Sequence, residues 1–277
     1  MTSVIQQKLV RSILYFILIS FSLMMFIPLL WGVLSSFKTV RELFAMPPTV
    51  FPETFAWENY LQVIVGGNFL RDNYNSLVVA VLVTFLTVLI CSLAGHALAK
   101  YQFRGRDVIF YLFLGTMMIP VQVTMIPVFL ISSRLDLIDT YLGVVFPQVA
   151  SAFGVFLMRQ FIMTVPDELI EAARIDGCPE IKIFTNITVP LSKIAIGSLS
   201  ILTFLGSWNQ FLWPLILIRS QEMATVQLAM RRFQGEYTTE WNLLMAAAVL
   251  AIVPVAIVYI CFQRFIVEGI SMSGIKG

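Results

Sequence analysis

Apolar residues run along this chain in six long blocks, near Ile13–Phe37, Ser76–Leu98, Val108–Ile131, Thr140–Met158, Ile194–Ile218 and Trp241–Phe262. A helix needs roughly 20 such residues to cross a bilayer. None of the blocks alternates with period two, and they are too long for barrel strands. Helices satisfy their own backbone groups in lipid. The pattern therefore predicts an all-α membrane protein of six transmembrane helices, in a single domain over 1–277. Prolines inside the blocks need helper contacts from neighbouring helices. The first block is too long for a signal-peptide core, and no small-residue cleavage site follows it, so it reads as a retained span.

Polar residues break this pattern most sharply between the fourth and fifth blocks, in PDELIEAARIDGCPEIKIFTNITVP, Pro166 to Pro190. Asp167, Glu168, Glu171, Arg174, Asp176, Glu180 and Lys182 crowd together there. Thr164 is placed to cap a helix, and Pro166 suits its first turn. Asp167 and Glu168 face the positive end of the helix dipole and Arg174 the negative end. Gly177 supplies a left-handed stop. Pro179 opens a second short helix with apolar teeth at Ile181, Phe184 and Ile187, and Pro190 is expected to end it. The segment 164–190 thus reads as a helix–turn–helix outside the membrane. One reading is an amphipathic hairpin resting on lipid, but such helices usually carry a basic polar face. This one is acidic, and an anionic leaflet repels it. A rigid acidic helix fits better as a docking knob for a protein, with Ala172 and Ala173 allowing close approach.

Charge sets the orientation. With six spans both termini share a side, and that side, which includes 164–190, holds eleven of the 18 basic residues. Basic residues concentrate in the cytoplasm, so both termini are expected there. The loops 38–75 and 219–240 then face outward. The prolines and aromatics of PPTVFPETFAWENY suggest a compact interfacial loop. Composition adds limits. Charged residues make up 12% of the chain, about half the usual share of a soluble domain. The net charge of +2 points to no nucleic-acid partner. Cys91, Cys178 and Cys261 form no disulfide framework and read as small buried hydrophobes. His96 cannot build a metal site alone; with Lys100 one turn away, it reads as an interface residue rather than a proton relay. No phosphate-binding glycine loop, serine elbow or metal-spaced cluster occurs. The chain is therefore expected to be no enzyme, with no cofactor of its own.

The fifth block carries the candidate pathway. On a helical wheel Thr203, Gly206, Ser207, Asn209, Gln210 and Trp213 share one side, in an arc about 160° wide. Amides in hydrocarbon are costly unless they face protein or water. Hydroxyls and amides beside an indole suit a sugar. Polar residues also glue transmembrane helices together, and both roles fit. Gln122, between Pro120 and Pro127 in the third block, is a further pathway candidate, and those two prolines could bend their helix.

EAARIDG, followed at the right distance by Phe184, Ile187 and Pro190, resembles the EAA loop of bacterial ABC-importer permease subunits. The resemblance covers nearly the whole chain. NSLVVAVLVTFLTVLICSLAGHALAKYQFRGRD, MMIPVQVTMIPVFLISSRLDLIDTYLGVVFP, SWNQFLWPLIL and QRFIVEGISMSGIKG fall in the order of the maltose and glycerol-phosphate branch. His96 and Ile194 depart from that branch's commoner residues, away from the docking knob. The resemblance implies a type I ABC importer permease fold with a cytoplasmic coupling helix between helices 4 and 5. It implies that Glu171, Ala172, Ala173, Asp176 and Gly177 dock on an ATPase, which uses ATP and Mg while this chain binds neither. The implied partners are a second, non-identical permease chain, an ABC ATPase dimer, an extracytoplasmic solute-binding protein and membrane lipid. The implied location is the bacterial inner membrane, and the implied cargo is a sugar or related polyol. An ion-coupled secondary transporter of a small polar solute is the alternative. It would normally show buried acids or histidine as coupling sites and detectable repeats, and the blocks carry no acid well inside them.

Overall fold

The computed structural model describes residues 2–235 and 237–274, with side chains for 7–235 and 237–265. Helices account for the architecture. The principal ones are α1 (Thr2–Ser35), α2 (Phe69–Lys100), α3 (Arg106–Thr116), α4 (Val121–Arg134), α5 (Tyr141–Val149), α6 (Ala152–Ile162), α7 (Asp167–Ile175), α8 (Glu180–Ile183), α9 (Lys193–Trp208), α10 (Leu212–Leu217) and α11 (Trp241–Gly274), with shorter turns of helix between them. Among the described residues there is a lone bridge, Gln234 to Thr239, and no strand. Within α1, α2 and α11, the stretches Gln7–Ser35, Phe69–Lys100 and Trp241–Phe265 are each long and apolar enough to cross a membrane unaided.

The chain forms two compact units, Met1–Phe69 with Met230–Ile252, and Leu70–Ala229 with Val253–Gly277. In the first, the loop after α1 folds back on its own polar groups. Asn59 donates to the Ser36 and Lys38 carbonyls at 2.9 Å each. Lys38 is buried, reaching the Thr49 carbonyl and lying 5.0 Å over the Trp31 ring. Phe37 packs edge-on against Phe55 and Trp57. A loop rich in prolines and aromatics is thereby made rigid.

In the second unit α2 is the spine. One stretch packs Val79 and Val83 against Val144, Val145 and Val149 of α5 and Trp213 and Leu217 of α10. The other packs Cys91 and Leu98 against Phe110, Val155, Met158, Ile162 and Leu199. Small residues bring α2 and α6 close, as in membrane helix pairs generally. A Cβ built on Gly95 would lie 2.7 Å from the Met158 Cβ, and one on Gly154 would lie 2.6 Å from the Cys91 Sγ.

Three apolar blocks that read as continuous helices are broken. The third divides into α3 and α4, bent by 99°. Pro120 causes this: it has no N–H to donate and disfavours helical geometry in the residue before it. Pro127, in contrast, stays inside α4. The fourth divides at Ala150 into α5 and α6, bent by 50°, with Ser151 accepting from the Gly154 N–H at 3.0 Å to start α6. The Val149 carbonyl released at this break finds a donor on α2, the Thr87 hydroxyl at 3.2 Å, and the Cys91 thiol of α2 adds a contact at 3.5 Å to the Ser151 carbonyl, which also accepts from the Val155 N–H at 3.1 Å. The fifth stops at Trp208 and restarts at Leu212, where the Gln210 side chain accepts from the Leu212 N–H at 3.1 Å.

Candidate functional site

The charged segment forms the helix–turn–helix expected of it, with two local differences. Thr164 does not cap α7. Its hydroxyl donates back to the Phe161 carbonyl at 2.7 Å, closing the end of α6, and Pro166 takes the cap position. Pro190 does not end the second helix. The helix runs from Glu180 to Leu191 and turns by 80° into α9 at Ser192. A π turn over Phe184–Thr188 precedes the proline, with the Val189 N–H bonded five residues back to Phe184. That wider turn makes room for a ring that would otherwise strike the preceding turn.

Gly177 does stop α7, with φ of +74°. The Cys178 N–H reaches Ala173 at 2.9 Å and the Gly177 N–H reaches Arg174 at 3.0 Å. This pair of bonds is the Schellman arrangement, which satisfies carbonyls that a helix end leaves open. Across the turn, Arg174 pairs with Glu180 at 2.7 Å. The Tyr101 hydroxyl donates to the same carboxylate, and the Arg174 guanidinium lies 5.3 Å over the Tyr101 ring. Arg174 and then Tyr101 hold the Glu180 carboxyl below its ordinary range. A depressed carboxyl contributes stability above its ordinary titration range and loses it as pH falls through the lowered value. The clamp therefore persists in mild acid. At the other end of α7, Lys100 pairs with Asp167 at 2.6 Å and donates to the Val165 carbonyl. His96, one turn earlier on α2, meets Thr188 at 3.2 Å and packs its ring against Phe184 and Tyr101.

The outward face of α7 is free. Glu171, Ala172, Asp176 and Gly177 are exposed, and Ala173 is half-buried beneath them. Ile170 alone is fully buried, anchoring the helix. Sequence reasoning missed Leu169 and Ile175, apolar side chains that are 46% and 86% exposed. The signal was present, since the run LIEAARI places apolar residues all round a helix that has only one side to bury.

The candidate pathway residues divide. Thr203, Ser207 and Gln210 line one groove of about 260 Å³ with Gln148, Ser151 and Gly206. Ser207 is buried, and its hydroxyl has no partner among the described residues. Gln148 and Ser151 come from the break between α5 and α6. They could have been suspected from Pro147 followed by a Ser-x-x-Gly helix start. Asn209 is exposed outside the groove and donates to its own helix at Leu205, 2.9 Å away. Trp213 lies in the core beside Val79 and Val144. The wheel that grouped it with Ser207 assumed a continuous helix, and the break at 209–211 rotates it away. Gln122 is exposed on α4. A larger cavity, about 530 Å³, is walled by Leu77, Val81, Phe85, Phe184 and Phe204. Its Thr84 and Ser200 hydroxyls donate to their own helices, while the buried Ser92 hydroxyl has no partner among the described residues.

The model of one family, binding-protein-dependent transport system inner membrane component, matches residues 3–272. The chain belongs to that family. This permease is 38% identical over 267 residues to the arabinooligosaccharides transport system permease protein AraQ of Bacillus subtilis (strain 168), covering 95% of this chain and 94% of that one. It is 37% identical over 238 residues to the sn-glycerol-3-phosphate transport system permease protein UgpE of Escherichia coli O1:K1 / APEC, covering 83% and 85%. Among solved structures, it superposes with a TM-score of 0.81 and 24% identity on a chain of a bacterial ABC transporter involved in the import of the acidic polysaccharide alginate, covering 92% and 96%. A second alginate transporter structure, in complex with an alginate pentasaccharide-bound periplasmic protein, matches with a TM-score of 0.62 and 14% identity over 92% of this permease and 94% of that chain. The type I importer permease fold that the resemblance implied is the fold these chains share.

Proposed function

We propose that this permease forms part of the translocation pathway for a sugar or related polyol and is driven by ATP hydrolysis on a separate ATPase subunit. The observation that carries the reading is α7: a short acidic helix, held at both ends, with its outer face left uncovered. A helix that receives force must be stiff, because a loose loop would absorb the motion. Glu171 offers a carboxylate to a basic group on the ATPase, with Ala172, Ala173, Asp176 and Gly177 around it and Ile175 as an apolar tooth. The ATPase dimer carries the ATP and Mg; this chain supplies the lever. The excess of basic residues on the side of the termini supports a cytoplasmic α7 and cytoplasmic termini. A second, non-identical permease chain would close the pathway, and an extracytoplasmic solute-binding protein would deliver the cargo.

The carbohydrate class rests on the relatives' names and on the groove. Thr203, Ser207, Gln210, Gln148 and Ser151 present hydroxyls and amides, which match a solute rich in hydroxyls. Proteoliposomes holding this permease, its partner permease and the ATPase test the reading. Uptake of radiolabelled arabinotriose or sn-glycerol 3-phosphate is expected only with internal ATP and external binding protein. Uptake driven by a proton or sodium gradient alone would establish the ion-coupled alternative instead. In the same vesicles, Ser207→Ala combined with Thr203→Val is expected to lower uptake about tenfold, as two hydrogen bonds of ~0.5–1.5 kcal/mol each are lost. ATPase co-purification should be unchanged. Full uptake by that variant would make the two residues helix glue rather than lining.

A further inference from the structure

Lys100, the last residue of α2, and Tyr101, which follows it, grip both ends of α7. Lys100 holds the start, through Asp167 at 2.6 Å and the Val165 carbonyl. Tyr101 holds the finish, through Glu180 and beneath the guanidinium of Arg174. The Lys100 side chain is 3% exposed, so this is no loose surface pair. His96 adds a third hold, on Thr188 and Phe184 of the helix that follows. Covalently, α7 is joined to α6 and, through Glu180–Leu191, to α9. Neither connection is straight: residues 163–166 separate α6 from α7, and an 80° bend at Ser192 separates the following helix from α9. The route to α2 is short and made of side chains.

We propose that Lys100 and Tyr101 are positioning residues that latch α7 to α2, so that α2, rather than α6 or α9 alone, receives the displacement of the docked helix. The latch rests on the reading of α7 as the ATPase-docking helix. It needs two points because one ion pair is a pivot, about which α7 could rotate. A second hold at the opposite end removes that rotation. Arg174 and Glu180 close the Gly177 turn, and Tyr101 ties the closed turn to the spine.

The test uses the complete importer with its ATPase and partner permease. The three cysteines are replaced by serine, and spin labels are placed at the exposed positions Leu89 on α2 and Leu169 on α7. Distances are measured without nucleotide and with ATP and vanadate. With the latch intact, one narrow distance is expected in both states. In Tyr101→Phe combined with Lys100→Gln, a second population is expected in the ATP-bound state only. Lys100→Arg alone should restore the single distance by keeping the pair with Asp167. A variant damaged only in folding would lose yield or broaden both states alike. If the double variant matches the parent in both states while the ATPase co-purifies, the latch is wrong and the docking reading stands. If the ATPase does not co-purify with the parent chain, both fall together. Should Tyr101→Phe fail to accumulate, Glu180→Gln loosens the same hold from the other side, and an unchanged ATP-state distance in it overturns the latch equally.

Discussion

Glu171→Lys is expected to leave the permease inserted at normal levels while ATP-driven uptake falls at least tenfold and the ATPase no longer co-purifies. The side chain is exposed and makes no ion pair among the described residues, so the fold does not depend on it. Substitutions at such positions usually change stability by less than about 0.5 kcal/mol. Across an interface the balance differs. A lysine set against a basic partner group is a like-charge contact, which costs several kcal/mol. Each 1.4 kcal/mol is roughly tenfold in affinity. Co-purification in mild detergent, measured beside uptake, separates the two effects. A complex of normal composition with normal uptake would remove Glu171 from the interface.

Gly95→Val is expected to do the opposite and prevent accumulation of a folded chain. A Cβ at this position would sit 2.7 Å from the Met158 Cβ, 2.9 Å from the Arg159 nitrogen and 3.0 Å from the Met158 carbonyl carbon. Two of those three atoms are backbone, so no rotamer change relieves the contact. The helices α2 and α6 must separate, and Cys91, Leu98, Val155 and Met158 separate with them. Overpacking typically costs ~1–3 kcal/mol and occasionally more, a large share of the ~5–15 kcal/mol by which proteins are stable. Gly115→Val is the control, because nothing lies within 4 Å of that position. Fluorescence-detected size exclusion of both variants checks the pair. Equal, monodisperse peaks would show that the close approach is not needed.

How much of this was legible in the sequence depends on the kind of interaction. The long helices were, because twenty or more apolar residues in a row leave a chain few options. The turn at Gly177 was legible too, since glycine after Arg174, Ile175 and Asp176 at the end of a capped amphipathic run has one common use. The broken spans were not. Apolar residues suit lipid in any register, so hydropathy does not mark where a helix stops, and Pro120, Pro127 and Pro147 look alike in sequence. One ends up at a 99° bend and two inside helices. That difference depends on which neighbours supply hydrogen bonds. The same blindness grouped Trp213 with Ser207 and hid Gln148 and Ser151. The hold of Lys100 and Tyr101 on α7 was beyond reach for another reason: it joins residues more than sixty positions apart, and spacing along the chain carries no trace of it.

The kink at Ala150 belongs to two helices at once. The Val149 carbonyl it frees is met by Thr87, and Cys91 adds a second contact at Ser151, both from α2. Anyone exchanging parts between related importers to change their cargo inherits this dependence. Transplanting α5 and α6 without α2 would move the bend away from its donors, so the three helices are best treated as one transferable module.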